Sequence, residues 1–381
     1  MPLTNLKNQF NFPEDVVYLN TASFSPAFTS VETAGVKAVK AKSRPDFISA
    51  SNLFEPVKEL KTLFAEIIDC DNYNRVVTIP SVSYGLATVA NNIELKQDDE
   101  ILIIDEQFPS NVYIWKRLAN QYNAKIITVK EPENKSDWNR HILDAISDRT
   151  ALVAMGHIHW ANGILFDLKK IREKTKQHNS LLIIDGSQSI GALPFSIKDI
   201  EPDALICAGY KWLFGPYGCA YAYYGAYFDN GQPIEENWAN RLESQDFSKL
   251  TDYQSEYQPL AGRYAMGQSG SFIYVQMQIA ALKEISRINP QELQDYCHDI
   301  SADALVKLSK LGFHSDAPKD RAKHMFGIKI PENLNLEKLK QNLKDANIHV
   351  SFRGRYIRIS CHVFNTKLHF ERLVEAISKS L

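Results

Sequence analysis

Cysteine is scarce in this 381-residue chain. Its five cysteines (Cys70, Cys207, Cys219, Cys297 and Cys361) lie far apart, and none belongs to a CxxC pair. That spacing argues against a structural zinc site and against the disulfide framework of small secreted domains; no metal is expected. An excess of charge of one sign is missing too. Forty-three basic residues face 45 acidic ones, a formal net charge of -2, so nothing electrostatic draws the chain to nucleic acid or an anionic membrane. Long apolar runs are absent: the opening MPLTNLKNQFNFPED has no core of signal-peptide length, and no later run approaches a membrane span. The expectation is a cytoplasmic protein with neither nucleic acid nor membrane as partner. Internal repeats and low-complexity tracts are also lacking.

What is present is material for a deep core: 44% hydrophobic and 23% charged residues, over a length that suits one large domain and a smaller one. From about residue 54 to 224, short runs rich in β-branched residues (RVVTI, EILIID, AKIITV, TALVAM, SLLIID, DALICA, GCAYAYY) alternate with helical patterns such as SYGLATVANNI and LKKIREKTKQH. Parallel neighbours need long return connections, so this alternation predicts parallel strands with crossover helices. The strands' near-continuous apolar character predicts helices on both sheet faces. A polar, irregular stretch follows over 231–262, then an amphipathic segment from Ser271 toward Ile288, then a second α/β pattern ending in NIHVSF, YIRIS and a last helix. The fold class expected is α/β: a three-layer αβα large domain with a mainly parallel sheet, over 26–262, plus a smaller α/β domain formed by 1–25 and 263–381.

The most informative stretch is LLIIDGSQSIGALPFSIKDIEPDALICAGYKWLFGPYG. One buried strand delivers Asp185 at its C-terminal end, where ligands sit in open α/β sheets; a second delivers Lys211 just past its own end. Alone, each has a plainer explanation: Asp185 as a turn former or cap, Lys211 as a surface lysine. Together, with Gln188 and the turn Gly215, Pro216 and Gly218 in order, they suit pyridoxal-phosphate (PLP) chemistry. There a lysine holds the aldehyde and a carboxylate keeps the pyridine nitrogen protonated.

The D-G-S-Q stretch followed by Y-K-W-L-x-G-P-x-G resembles the cofactor-lysine signature of class V aminotransferases, PLP enzymes of fold type I. Cysteine desulfurases, kynureninases and epimerase-like enzymes are among them. The resemblance runs from YLNTASFSP at residue 18 to RISCHVFNT at residue 358. It implies that Lys211 is the Schiff-base lysine, that Asp185 faces the pyridine nitrogen, and that Gln188 lies near the phenolic oxygen. IPSVSYGLATVA is similar to the family's phosphate loop, so Val82 and Ser83 would offer N–H groups and a hydroxyl at a helix start. Phe108 falls where a ring stacks on the cofactor, and the Tyr210 hydroxyl is expected to reach the phosphate. In HIHWANG the family's Asn position holds Trp160, and either its indole N–H or Asn162 takes over that contact.

In YIRISCHVFNT the resemblance implies that Arg358 pairs with a substrate α-carboxylate, with Asn20 and His362 as further pocket residues. RYAMGQSGSF is similar to the loop by which one subunit reaches its neighbour's phosphate, which implies a homodimer with Gln268 as the contact. The reaction expected is transamination of an amino acid or a related elimination or epimerisation. SFRGRYIRIS contains no cysteine, which disfavours a persulfide-forming cysteine desulfurase. A selenocysteine-lyase-like reaction stays open, and the reading of another class is a catalytically silent PLP-fold binding module.

Overall fold

The computed structural model describes residues 3–381. The chain opens with β1 (Val17–Tyr18), α1 (Thr29–Ala41) and α2 (Ala50–Ile67). It continues through β2 (Val76–Ile79), α3 (Val82–Asn91), β3 (Glu100–Ile104), α4 (Ser110–Tyr122), β4 (Lys125–Val129), α5 (Trp138–Ala145) and β5 (Thr150–Gly156). Next come α6 (Leu168–Gln177), β6 (Leu181–Asp185), the single turn α7 (Ile197–Ile200), β7 (Ala204–Ala208) and β8 (Ala220–Tyr224). The C-terminal third holds α8 (Phe272–Ile285), α9 (Pro290–Lys310), β9 (Met325–Lys329), α10 (Leu336–Asp345), β10 (Ile348–His349), β11 (Ser351–Arg353), β12 (Tyr356–Ser360) and α11 (Lys367–Ser378).

Seven strands form one sheet in the order β2-β8-β7-β6-β5-β3-β4. The neighbours from β7 through β4 pair in parallel, whereas β8 runs antiparallel to both β7 and β2. The sequence pattern groups GCAYAYY with the parallel strands; the structure reverses it because no crossover helix lies between β7 and β8, only a short turn segment. Side chains alternate between two cores. Val153, Met155, Leu182, Ile184, Leu205 and Cys207 face one helical layer; Leu152, Ala154, Ile183, Ala204 and Ile206 face the other. Each of these Leu, Ile and Val side chains is fully buried and contributes about 1.5–3 kcal/mol.

Helix starts follow local chemistry. Ser81 Oγ accepts the Tyr84 N–H at 3.2 Å to open α3, Asp167 caps α6 through the Lys170 N–H, and Asn289 with Pro290 at the first position opens α9. The amphipathic segment after Ser271 becomes α8, which packs on α1 and α2. The run NIHVSF splits: β10 pairs with β1 in parallel, and β11 joins the antiparallel sheet β11-β12-β9. The chain's beginning is thereby stitched to its end, and Asn20 bridges Ser360 beside β12.

Candidate active site

The C-terminal ends of β3, β5, β6 and β7 present Ile104, Gly156, Asp185 and Ala208 to one cavity of about 230 Å³. Asp185 ends β6, and its Oδ1 accepts the Ser187 N–H at 2.9 Å. Ser187 Oγ in turn accepts the Ala208 N–H at 3.1 Å and ties the end of β7 to the same corner. Lys211 follows β7 and is 8% exposed. Burial first, then the charges of Arg358 and Arg353, outweigh the attraction of Asp185 and push the Lys211 ammonium down to about 8. Its Nζ lies 5.5 Å from the Phe108 ring centroid and 5.7 Å from that of Tyr210.

At the other end of the cavity α3 begins. Ser81 serves as its cap, so the Tyr84 N–H is taken, while the first-turn N–H groups of Val82 and Ser83 have no protein acceptor. Two free amides at a helix start, beside the Ser83 hydroxyl, form an anion cradle. This cradle, the lysine, the carboxylate and Phe108 line the same cavity, an arrangement that fits a phosphorylated pyridine aldehyde.

Of the residues singled out from sequence, Val82, Ser83, Phe108, Trp160, Asp185, Gln188, Tyr210 and Lys211 line this cavity. Gln188 is largely engaged: Nε2 donates to Ala22 O at 3.1 Å, and Oε1 accepts the Trp212 indole N–H at 2.8 Å. The Trp160 indole N–H is donated to Glu106 O at 2.7 Å, so it is not free for a ligand. Asn162 lies outside the cavity wall, its amide held by Glu131 and by the Ile164 N–H.

Arg358 is 1% exposed and sits behind Trp160. Nη1 donates to Trp160 O at 3.0 Å and Nη2 to Ser23 Oγ at 2.7 Å; Nε is buried without a partner, and no acid pairs with it. Burial pushes the guanidinium down to about 9, well below its ordinary range yet still charged near neutrality. Asn20 supports this corner by accepting the Ser23 hydroxyl at 2.8 Å. His362 is elsewhere: fully buried, 4.6 Å from Phe214 and 6.1 Å from Trp212 by ring centroids, and pushed down to about 3 by burial. Gln268 lies in a separate groove with Lys61, Thr78 and Trp238.

The sequence reading missed Ser23, Gln107 and Asn111. Gln107 Nε2 donates to Asn111 O and Ala154 O at 2.6 and 3.1 Å, and Asn111 Oδ1 accepts the Trp115 indole at 2.7 Å. Their other amide atoms, Gln107 Oε1 and Asn111 Nδ2, are buried without partners at the cavity. The i,i+4 spacing of Asn111 and Trp115 was the available signal. Cys219 also lines the wall, with its thiol pushed up to about 11 by burial. Among the described residues no cluster of three or more His, Cys, Asp or Glu is arranged to hold a metal, and no helix is long and apolar enough to cross a membrane.

Comparison with known proteins agrees with this geometry. The family model described as aminotransferase class-V matches residues 49–372, and the chain belongs to that family. It is 25% identical to an uncharacterised aminotransferase, YcbU, of Bacillus subtilis over 83% of this chain and 81% of that one. It is 26% identical to the hercynylcysteine sulfoxide lyase of Schizosaccharomyces pombe over 80% and 77%. Among solved structures, a C-DES mutant with glycine covalently linked to its PLP cofactor superimposes with a TM-score of 0.88 at 18% identity, covering 98% of this chain and 99% of that one. The fold is thus that of PLP-dependent enzymes.

Proposed function

We propose that this member of the class V aminotransferase family is a PLP-dependent enzyme that acts on an amino acid, by transamination or by a related elimination or epimerisation at Cα. The observation that carries the reading is the convergence of Lys211, Asp185 and the α3 anion cradle on one cavity, with an acid-free arginine behind its wall. When bound, PLP supplies a protonated conjugated ring that accepts the electron pair of a broken Cα bond.

The chain's own residues then divide the work. Val82 and Ser83 would take the phosphate, Phe108 would cover a ring face, and the Asp185 carboxylate would hold a proton on the ring nitrogen. Lys211, its pKa brought down to about 8 by burial, would be the residue to hold the aldehyde and to carry a proton to and from the substrate's Cα. Arg358 holds the α-carboxylate. With the Trp160 indole committed to Glu106 and Asn162 turned to Glu131, the second N–H of Gln188 Nε2 would be the donor left for the phenolic oxygen.

The working form we propose is a cytoplasmic homodimer. Gln268 lies away from its own subunit's cavity, as a residue serving a neighbour would, and the cysteines are unbridged. A fully active PLP-saturated monomer in sedimentation would overturn that assembly. A persulfide route finds little support, because burial raises the Cys219 thiol and Cys361 is inaccessible. Selenocysteine-lyase-like chemistry would use the same lysine, carboxylate and arginine. The purified protein should show visible absorption from bound PLP, and borohydride reduction with peptide mapping should leave the pyridoxyl group on Lys211. Failure to bind PLP would favour a silent binding module, and a label on another lysine would displace Lys211.

A further inference from the structure

Two arginines, not one, lie against Trp160, a residue of the cavity lining. Arg353 on β11 and Arg358 on β12 place their guanidinium carbons 5.2 and 5.9 Å from the centroid of the Trp160 indole, whose side chain lines the cavity wall. Neither is paired with an acid. Arg353 Nη1 donates to Phe352 O at 2.8 Å, and its Nε is buried without a partner. Arg75 and Arg172, by contrast, meet Asp229 at 2.8 Å and Asp203 at 2.7 Å, whereas the buried Arg321 donates to the backbone carbonyls of Asp316 and Ala322. Here two like charges crowd one ring and oppose each other and the Lys211 ammonium. Such a cluster is costly unless a ligand brings the missing negative charge.

An α-carboxylate carries one charge, and Arg358, the more deeply buried, accounts for it. Arg353 remains. The indole holds its guanidinium by a cation–π contact, and the Trp160 N–H bond to Glu106 O fixes the ring. The Arg353 fork is therefore pre-set to meet an oxyanion. We propose that Arg353 selects the substrate: an amino acid whose side chain ends in a second anionic group, a carboxylate or a sulfur oxyanion, bound by Arg353 while Arg358 holds the α-carboxylate. This rests on the roles given above to Lys211 and Arg358.

The test is calorimetric titration of the PLP-loaded protein with L-aspartate, L-glutamate and L-cysteine sulfinate against L-alanine, and with succinate against butyrate as unreactive probes. At least one acidic amino acid should bind about tenfold more tightly than L-alanine, and succinate more tightly than butyrate. The best acid identifies the carboxylate or sulfur-oxyanion class and its reach. Arg353→Gln should bring the acid-to-alanine affinity ratio close to one, and Arg353→Lys should restore part of it. Arg353→Met, which keeps an apolar stem on Trp160, serves if the Gln variant melts early. Equal binding of acidic and neutral amino acids, or a preference that survives both Gln and Met, overturns the proposal while leaving the PLP reading intact. Visible PLP absorption with no amino acid bound at all overturns the Arg358 assignment and this one with it.

Discussion

Replacing Arg358 with alanine removes a guanidinium that the fold buries at 1% exposure without an acidic partner. If its partner is a substrate α-carboxylate, the loss of a buried, bidentate, charge-assisted pair costs about 2–5 kcal/mol of binding, or roughly 30- to several-thousand-fold in affinity. The stability consequence is different. Folding lowers the Arg358 pKa to about 9, well below the ordinary guanidinium range, with burial the first cause. The folded state therefore disfavours the charged form, at a cost on the order of several kcal/mol that is fully present below about pH 9 and relieved only as pH rises above it toward the ordinary guanidinium range. Arg358→Ala lifts that cost but leaves Trp160 O without its donor, a penalty of about 1–3 kcal/mol, while Ser23 Oγ keeps the Ser351 hydroxyl in reach at 3.3 Å. The two effects oppose, so the melting midpoint should move by no more than about 5 °C. The assay pairs the dissociation constant of L-alanine, read from the visible spectrum of the PLP-loaded protein, with a thermal melt. Arg358→Lys should recover only part of the affinity, since an ammonium lacks the planar fork. A variant that melts far earlier yet binds L-alanine normally would refute the reasoning and make Arg358 a structural residue.

Lys211→Met should stabilise the PLP-free protein near pH 7 by up to ~3 kcal/mol, because the folded pKa of about 8 lies below the ordinary 10.5. The wild type should gain stability, read as its urea midpoint, between pH 8 and 10.5 more steeply than the variant, which keeps only the rise from other lysines such as Lys61, also pushed down to about 8 by burial. Asp185→Ala should still take up PLP yet slow Cα–H exchange with deuterium by orders of magnitude, with Asp185→Glu far milder; normal exchange in the alanine variant would make Asp185 a turn former only. Gly163→Ala should cost roughly 2–4 kcal/mol in a denaturant melt, since its φ is +82° and a Cβ would stand 2.2 Å from Met325 O. An unchanged midpoint would show that this junction yields freely.

Much of the site was legible because its residues ride on short-range patterns. Apolar runs announced β6 and β7, so Asp185 and Lys211 could be placed at strand ends, and Ser81–Val82–Ser83 marked a helix start. Other features depend on contacts remote in sequence. Ser23 meets Arg358 across 335 positions, and the Trp160 indole meets Glu106 across 54. No local pattern shows that His362, three residues before Asn365, turns into the aromatic core instead of the cavity. Nor does periodicity show that Arg353 leans on Trp160, since a strand pattern gives the face of a residue but not what the rest of the chain packs beneath it.

The sequence by itself determined the alternation of strand and helix, the two-faced burial of the central strands, and the lysine and carboxylate at adjoining strand ends; all follow from side-chain period and turn chemistry within a few residues. Only the tertiary structure decided the splitting of NIHVSF between two sheets and the meeting of Arg353 and Arg358 on Trp160. Those outcomes depend on which backbone donors and buried charges remain unsatisfied once distant segments pack, a balance struck in three dimensions and invisible to any local window.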